Sequence, residues 1–162
     1  LPVPEGNQLT AAAPFSALQG QIALPVTGRI KLRFGADDGN GAVMLGDMVA
    51  TQSAAIVTAP ADGNVLYAGP FRSYGQLLIL NAGGGYHVVL AGMGRISVAA
   101  GQSVLAGEPV GAMSEDEVAS ASASANGTTA PELYIEFRKD GKPVDPAPWW
   151  SAKMSGRTGN DS

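Results

Sequence analysis

The sequence predicts an all-β fold built from short strands. Three observations predict it. Glycine (22 of 162 residues) and proline (11) are frequent, while charged residues make up only 15% of a chain that is 45% hydrophobic. That balance favours many tight turns around a substantial core. Short apolar or alternating runs are separated by glycine, proline and aspartate turn signals throughout. The clearest run, Pro131 to Arg138, alternates strictly. Glu132, Tyr134, Glu136 and Arg138 point one way and Leu133, Ile135 and Phe137 the other, as on a strand with one buried face and one face turned to a groove.

The elements follow in order. Residues 1–22 carry early prolines and no clear period, and read as a linker or arm that Phe15 and Leu18 dock only weakly. In residues 23–35, Arg29, Lys31 and Arg33 alternate with Ile30, Leu32 and Phe34, a half-buried strand closed by Gly35. Asp37 and Asp38 lie in a glycine-rich turn without the ligand spacing of a calcium loop. Residues 42–50 form another strand-like run. Ile56–Thr58 and Asn64–Gly69 flank Asp62-Gly63 and read as a hairpin.

Leu77–Leu80 is a continuous apolar run, hence a central strand. Gly83-Gly84-Gly85 then turns into Tyr86–Ala91. Short strands follow at 103–105 and 110–113. Residues 114–130, rich in Ser, Ala, Asn, Gly and Thr, read as a mobile loop with one helical turn at Glu115–Val118. Lys139 to Lys142 is a tight turn. Residues 143–150 run extended and bring Trp149 and Trp150 against the core. Residues 151–162 form a polar, disordered tail.

Composition narrows the function. The length suits one domain with tails. A net charge of −4 and no Lys/Arg-rich patch argue against nucleic acid as a partner. With no cysteine, disulfides, thiol nucleophiles and thiolate metal sites are excluded. No run of 18 apolar residues is available to span a membrane. The chain starts at Leu1 rather than Met, and is expected to be an excised piece of a longer protein.

His87 is the single histidine. A catalytic zinc ordinarily takes three protein ligands with histidine well represented. His87 stands in a strand pattern with no second histidine near it, so it reads as a surface or edge-strand residue. A serine triad would need the same His87 and a Gly-x-Ser-x-Gly elbow, which is not there. The triple glycine is not followed by Gly-Lys-Ser/Thr and reads as a strand connection, not a phosphate loop. Glu132 and Glu136 share a strand face, but a rise of about 3.3 Å per residue sets them roughly 13 Å apart, too far for paired glycosidase carboxylates. Glu136 is expected in an ordinary surface or core-edge ion pair, for which an arginine of a neighbouring strand is one candidate partner.

Several segments together resemble the LytM, or lysostaphin-type, peptidase domain. Leu24-Pro25-Val26-Thr27-Gly28-Arg29-Ile30 with Phe34-Gly35 looks like its first strand. Gly46–Ala50, Val57 to Val65, Tyr74-Gly75, Gly85-Tyr86, Gly101–Val104, Gly107–Gly111, the 131–138 strand and Gly141–Pro146 follow in the family's order. The match covers residues 23–150. It implies an antiparallel β-sheet, sandwich-like core with long loops. Active members hold zinc with a His and an Asp four residues apart and the second His of a His-x-His strand. The other His of that strand and a further His act in catalysis. Here the first pair falls on Met44 and Met48, the His-x-His on Glu132 and Tyr134, and the remaining His on Gly92. The resemblance therefore implies a degenerate domain, with no catalytic residues, metal ligands or cofactor.

Degenerate domains of this kind resemble the EnvC-type murein hydrolase activators, which bind a zinc-dependent N-acetylmuramoyl-L-alanine amidase and relieve its autoinhibition during cell division. The subgroup's Leu-Tyr-x-Glu-x-Arg pattern matches Leu133, Tyr134, Glu136 and Arg138, and Tyr74 matches a further groove position. The resemblance implies a partner-binding groove at Tyr134, Arg138, Tyr74, Glu132, Met44, Met48 and Gly92. An amphipathic helix of the amidase would lie there, with a carboxylate reaching Arg138. It further implies the periplasm of a Gram-negative bacterium, and an upstream coiled coil, outside this chain, that links to a division complex. Two rivals stand beside the activator. One is a passive peptidoglycan-binding module. The other is a zinc endopeptidase with a rearranged site using His87, Glu132 or Asp47.

Overall fold

A computed structural model describes residues 14–72, 75–115 and 130–151. Its strands are β1 Arg29–Leu32, β2 Asp47–Ala50, β3 Ile56–Thr58, β4 Gly63–Pro70, β5 Gln76–Gly83, β6 Tyr86–Met93, β7 Arg95–Ile96, β8 Ser103–Val104, β9 Pro109–Ala112, β10 Glu132–Lys139 and β11 Lys142–Val144. The fold is all-β, as the sequence predicts. The main sheet runs β1-β2-β10-β6-β5-β4-β8, with β11 added to β10, and a smaller sheet runs β3-β9-β7. The strands pair antiparallel throughout. The two sheets share one core, in which Val57 and Val110 of the small sheet meet Leu78, Leu90 and Ile135 of the large one.

The alternation of 131–138 places β10 as read. Leu133, Ile135 and Phe137 are completely buried, and the intervening residues occupy the other face. The strand lies between β2 and β6, so its open face becomes the floor of whatever stands above the sheet centre. The β10–β11 turn has Asp140 (φ 51°) and Gly141 (φ 84°) both left-handed, the backbone of a two-residue hairpin turn that needs a glycine.

Several expectations change. The 56–69 run is not a hairpin: β3 pairs with β9, while β4 pairs with β5 and β8. Thr58 N–H donates to Pro25 O (2.7 Å), and Asp62 turns outward to accept from Ala106 N–H (2.8 Å), so Asp62-Gly63 crosses between sheets. His87, expected at the surface or on an edge strand, is half-buried on an inner strand, because β6 has neighbours on both sides. The 143–150 stretch is extended only to Val144, and Ala147–Trp149 forms a 3-10 turn.

Residues 14–22, expected at the end of a loose arm, pack into the core. Phe15 stacks on Trp149 (5.4 Å) and meets Phe137 edge-on (5.1 Å). The Trp149 indole N–H donates to Phe15 O (2.9 Å), and Ile22 bridges to Trp150. The rest of the arm, residues 116–129 of the loop and residues 152–162 of the tail lie outside the described residues.

Candidate functional site

The open face of the sheet centre is a groove of about 450 Å³. Register builds its floor in rows. Tyr134 of β10 stands between Met48 of β2 and Ala91 of β6, and Ala91 opposes Leu77 of β5. The next row sets Glu136 against Val89, and the row beyond sets Arg138 against His87 and His87 against Asn81. Met44, Leu45 and Phe71 complete the walls. Met44 is pinned by backbone hydrogen bonds to Ala36 O and from Gly35 N–H, both 2.8 Å. Between the two methionines, a Cβ on Gly46 would lie 2.2 Å from Ile135 O. Only glycine lets β2 enter so close to β10, and this approach sets Met48 in the Tyr134 row, with Met44 on the wall of the same groove.

Glu136 is the polar hub of an otherwise apolar groove and is 7% exposed. It accepts the Tyr134 hydroxyl (2.6 Å) and pairs with the Arg138 guanidinium. A second guanidinium nitrogen of Arg138 donates to Gly141 O (2.6 Å) in the hairpin turn. A buried charge is tolerable when paired and hydrogen-bonded in this way. Glu136 therefore does form an ion pair, but with the arginine two residues along its own strand, not one from a neighbouring strand. The same contacts occupy the Arg138 nitrogens that the sequence reading left for a partner's carboxylate.

The groove thus brings together Met44, Met48, Tyr134 and Arg138. Glu132 lies outside the lining, in an ion pair with Lys31. Gly92 supplies backbone only. Its φ is +107°, and a Cβ would lie 2.6 Å from Glu132 O, so it permits β10 to pass close to β6. Tyr74 lies outside the described residues. Sequence reasoning missed Leu45, Phe71, Leu77, Val89 and Ala91, and did not give Glu136 a site role. The last was legible, because an i, i+2 spacing puts Glu136 between Tyr134 and Arg138.

The donor set does not fit a catalytic zinc. At the positions where the resemblance places ligands stand two thioethers and a phenol, where histidine nitrogen and carboxylate oxygen are needed. The rearranged alternative does not assemble. Asp47 turns to the core side of the sheet, where Phe34 N–H and the Trp150 indole N–H each donate to it at 2.8 Å. Burial pushes its carboxyl above the ordinary value, and those two hydrogen bonds and nearby Arg33 oppose the rise. His87 sits opposite Arg138 on the groove face, six residues along β10 from Glu132, about 20 Å at strand rise. Among the described residues no three His, Cys, Asp or Glu side chains are grouped to hold a metal ion.

Comparison with known proteins matches residues 43–146 to the model of peptidase family M23. The murein hydrolase activator NlpD of Salmonella dublin is 31% identical over 144 residues, 88% of this chain and 34% of that protein. The murein hydrolase activator EnvC of Escherichia coli K12 is 27% identical over 145 residues, 90% of this chain and 32% of that protein. The chain spans about a third of the length of these relatives. A solved peptidase M23 from Pseudomonas aeruginosa superposes with a TM-score of 0.64 at 23% identity, covering 82% of this chain and 51% of that one.

Proposed function

This chain belongs to peptidase family M23, and from that premise we propose that it is a non-catalytic activator of an N-acetylmuramoyl-L-alanine amidase. The acting unit is the domain of residues 23–150, with 14–22 docked on it. It works in the periplasm, in cell division and wall remodelling. The amidase's autoinhibitory helical segment docks in the groove and is thereby held away from the amidase's own active site.

One observation carries the reading: the positions that resemble a metal centre are filled by Met44, Met48 and Tyr134, which line an apolar groove. Methionine gives adaptable apolar surface, and tyrosine and arginine are enriched at binding hot spots. The relatives named murein hydrolase activators support the same role. The energetics suffice. Turning an autoinhibited enzyme almost fully on takes about 5.5 kcal/mol of differential binding. Two or three apolar side chains, each contributing about 1.5–3 kcal/mol on full burial, cover that.

The test is dye release from labelled peptidoglycan by an autoinhibited amidase of the same cell, with and without the purified chain. Release only in the mixture is the expected result, and Tyr134→Ala should abolish it while the thermal melt stays cooperative. Release by the chain alone would restore an enzymatic reading. No release in either tube, with the chain sedimenting on insoluble murein, would mark a passive binding module.

A further inference from the structure

Arg72 stands beside the groove and has no role in the floor described above. It follows Phe71, a half-exposed wall residue of the groove, and its guanidinium carbon lies 5.5 Å from the centre of the Phe71 ring. Two other cations of this face have partners, Arg138 in Glu136 and Gly141 O and Lys31 in Glu132, and Arg29, in the row of Ala50 and Glu132, lies outside the groove lining. Among the described residues no carboxylate lies within ion-pair distance of Arg72. Its backbone is left-handed, with φ of 51°, in a residue type that rarely adopts this region. The Phe71 N–H to Gly75 O bond closes the connection around it. The arrangement presents a solvent-facing guanidinium on an aromatic platform at one end of an apolar trough.

We propose that Arg72 is the groove's charge-reading residue. The occupant is an amphipathic helix that lays an apolar stripe over Met44, Met48 and Tyr134 and ends with an Asp or Glu over Phe71, paired with Arg72. The charges of the floor cancel internally, since Glu136 is neutralised by Arg138. The floor therefore selects apolar residues without preferring either sign. A helix symmetric in its apolar stripe would bind in both directions. A single cation at one end fixes direction and rejects helices with a basic residue there, which is how interfacial charge usually acts. Arg138 becomes a positioning residue that holds Glu136 and the hairpin turn.

The inference rests on the activator reading, and the experiment separates the two. Dye release by the autoinhibited amidase is titrated with the wild-type chain, Arg72→Glu, Arg72→Lys and Arg72→Asn. Asparagine tolerates the left-handed backbone, so Arg72→Asn removes charge without unfolding, and thermal melts check all four proteins. Arg72→Glu should raise the half-maximal concentration about tenfold or more, Arg72→Asn several-fold, and Arg72→Lys should recover most of the loss. The gap between wild type and Arg72→Asn should shrink as salt rises to roughly 0.5 M, because an exposed pair is screened. Reversing the helix's terminal acid to lysine in the amidase should rescue Arg72→Glu. Equal activation by wild type and Arg72→Glu would overturn the inference and leave the activator reading standing. No activation by the wild-type chain would overturn both.

Discussion

Asp47 and Glu136 are buried carboxylates one register step apart on neighbouring strands, for Asp47 stands opposite Ile135. They serve opposite faces of the sheet. Asp47 faces the core and takes neutral donors, the Trp150 indole and the Phe34 amide. Through them it ties β2 to the C-terminal aromatic turn. Glu136 faces the groove and takes a phenol and a guanidinium. The difference comes from strand geometry, since each residue step reverses the side chain. One carboxylate became a staple between layers, and the other became the charge around which the groove floor is organised.

The largest expected effect lies on the core side. Asp47→Ala leaves one buried and one part-buried N–H donor without an acceptor, each worth about 1–3 kcal/mol. A loss of about 2–5 kcal/mol in denaturant melts is expected, with amidase activation falling only as the protein unfolds. Glu136→Gln should cost less, about 1 kcal/mol, because Arg138 is partly exposed and solvent screens the pair. Its larger effect should be on activation. If Glu136→Gln proved the more destabilising of the two, the division between staple and groove would fail.

The pH dependence sharpens the same contrast. Asp47's carboxyl is raised above its ordinary value of 3.8 by burial. The folded state then holds the proton more tightly than the unfolded chain does. The resulting stabilisation is present at low pH and is lost as pH climbs from about 3.8 through the folded value. Urea melts over this range should show wild type losing stability relative to Asp47→Asn as pH rises. A constant difference between the two would contradict the raised value.

The two carboxylates also mark what the sequence made legible. The open face of β10 was readable because strand alternation is local, and it placed Tyr134, Glu136 and Arg138 together. The turn at Asp140-Gly141 was readable for the same reason. Asp47's core role was not, because it depends on Trp150, over a hundred residues away in sequence. The Asp62-Gly63 signal misled, since a turn signal fixes a reversal but not the strand's partner. β3 closes on β9 and Pro25, where its buried Val57 finds the second layer. Phe15, read as docking the arm only weakly, joined the core through Trp149 and Phe137, because an arm without periodicity does not report how deeply one aromatic is buried. The groove walls at Leu45 and Phe71 lie on connections, where no period reports direction.

The smallest expected effect separates two uses of one side chain. The Tyr134 ring fills the row between Met48 and Ala91, while its hydroxyl donates to Glu136. Tyr134→Phe keeps the ring and removes one of Glu136's donors. The carboxylate retains Arg138, so a stability loss of about 0.5–1.5 kcal/mol is expected. If the hydroxyl serves the floor and the ring serves the partner, Tyr134→Phe should activate the amidase to the wild-type level at saturating concentration, whereas Tyr134→Ala should not. Dye-release titrations of both variants, read beside their melts, decide it. Loss of activation in Tyr134→Phe without loss of stability would mean that the hydroxyl acts on the partner directly, and that Glu136 is the anchor orienting it.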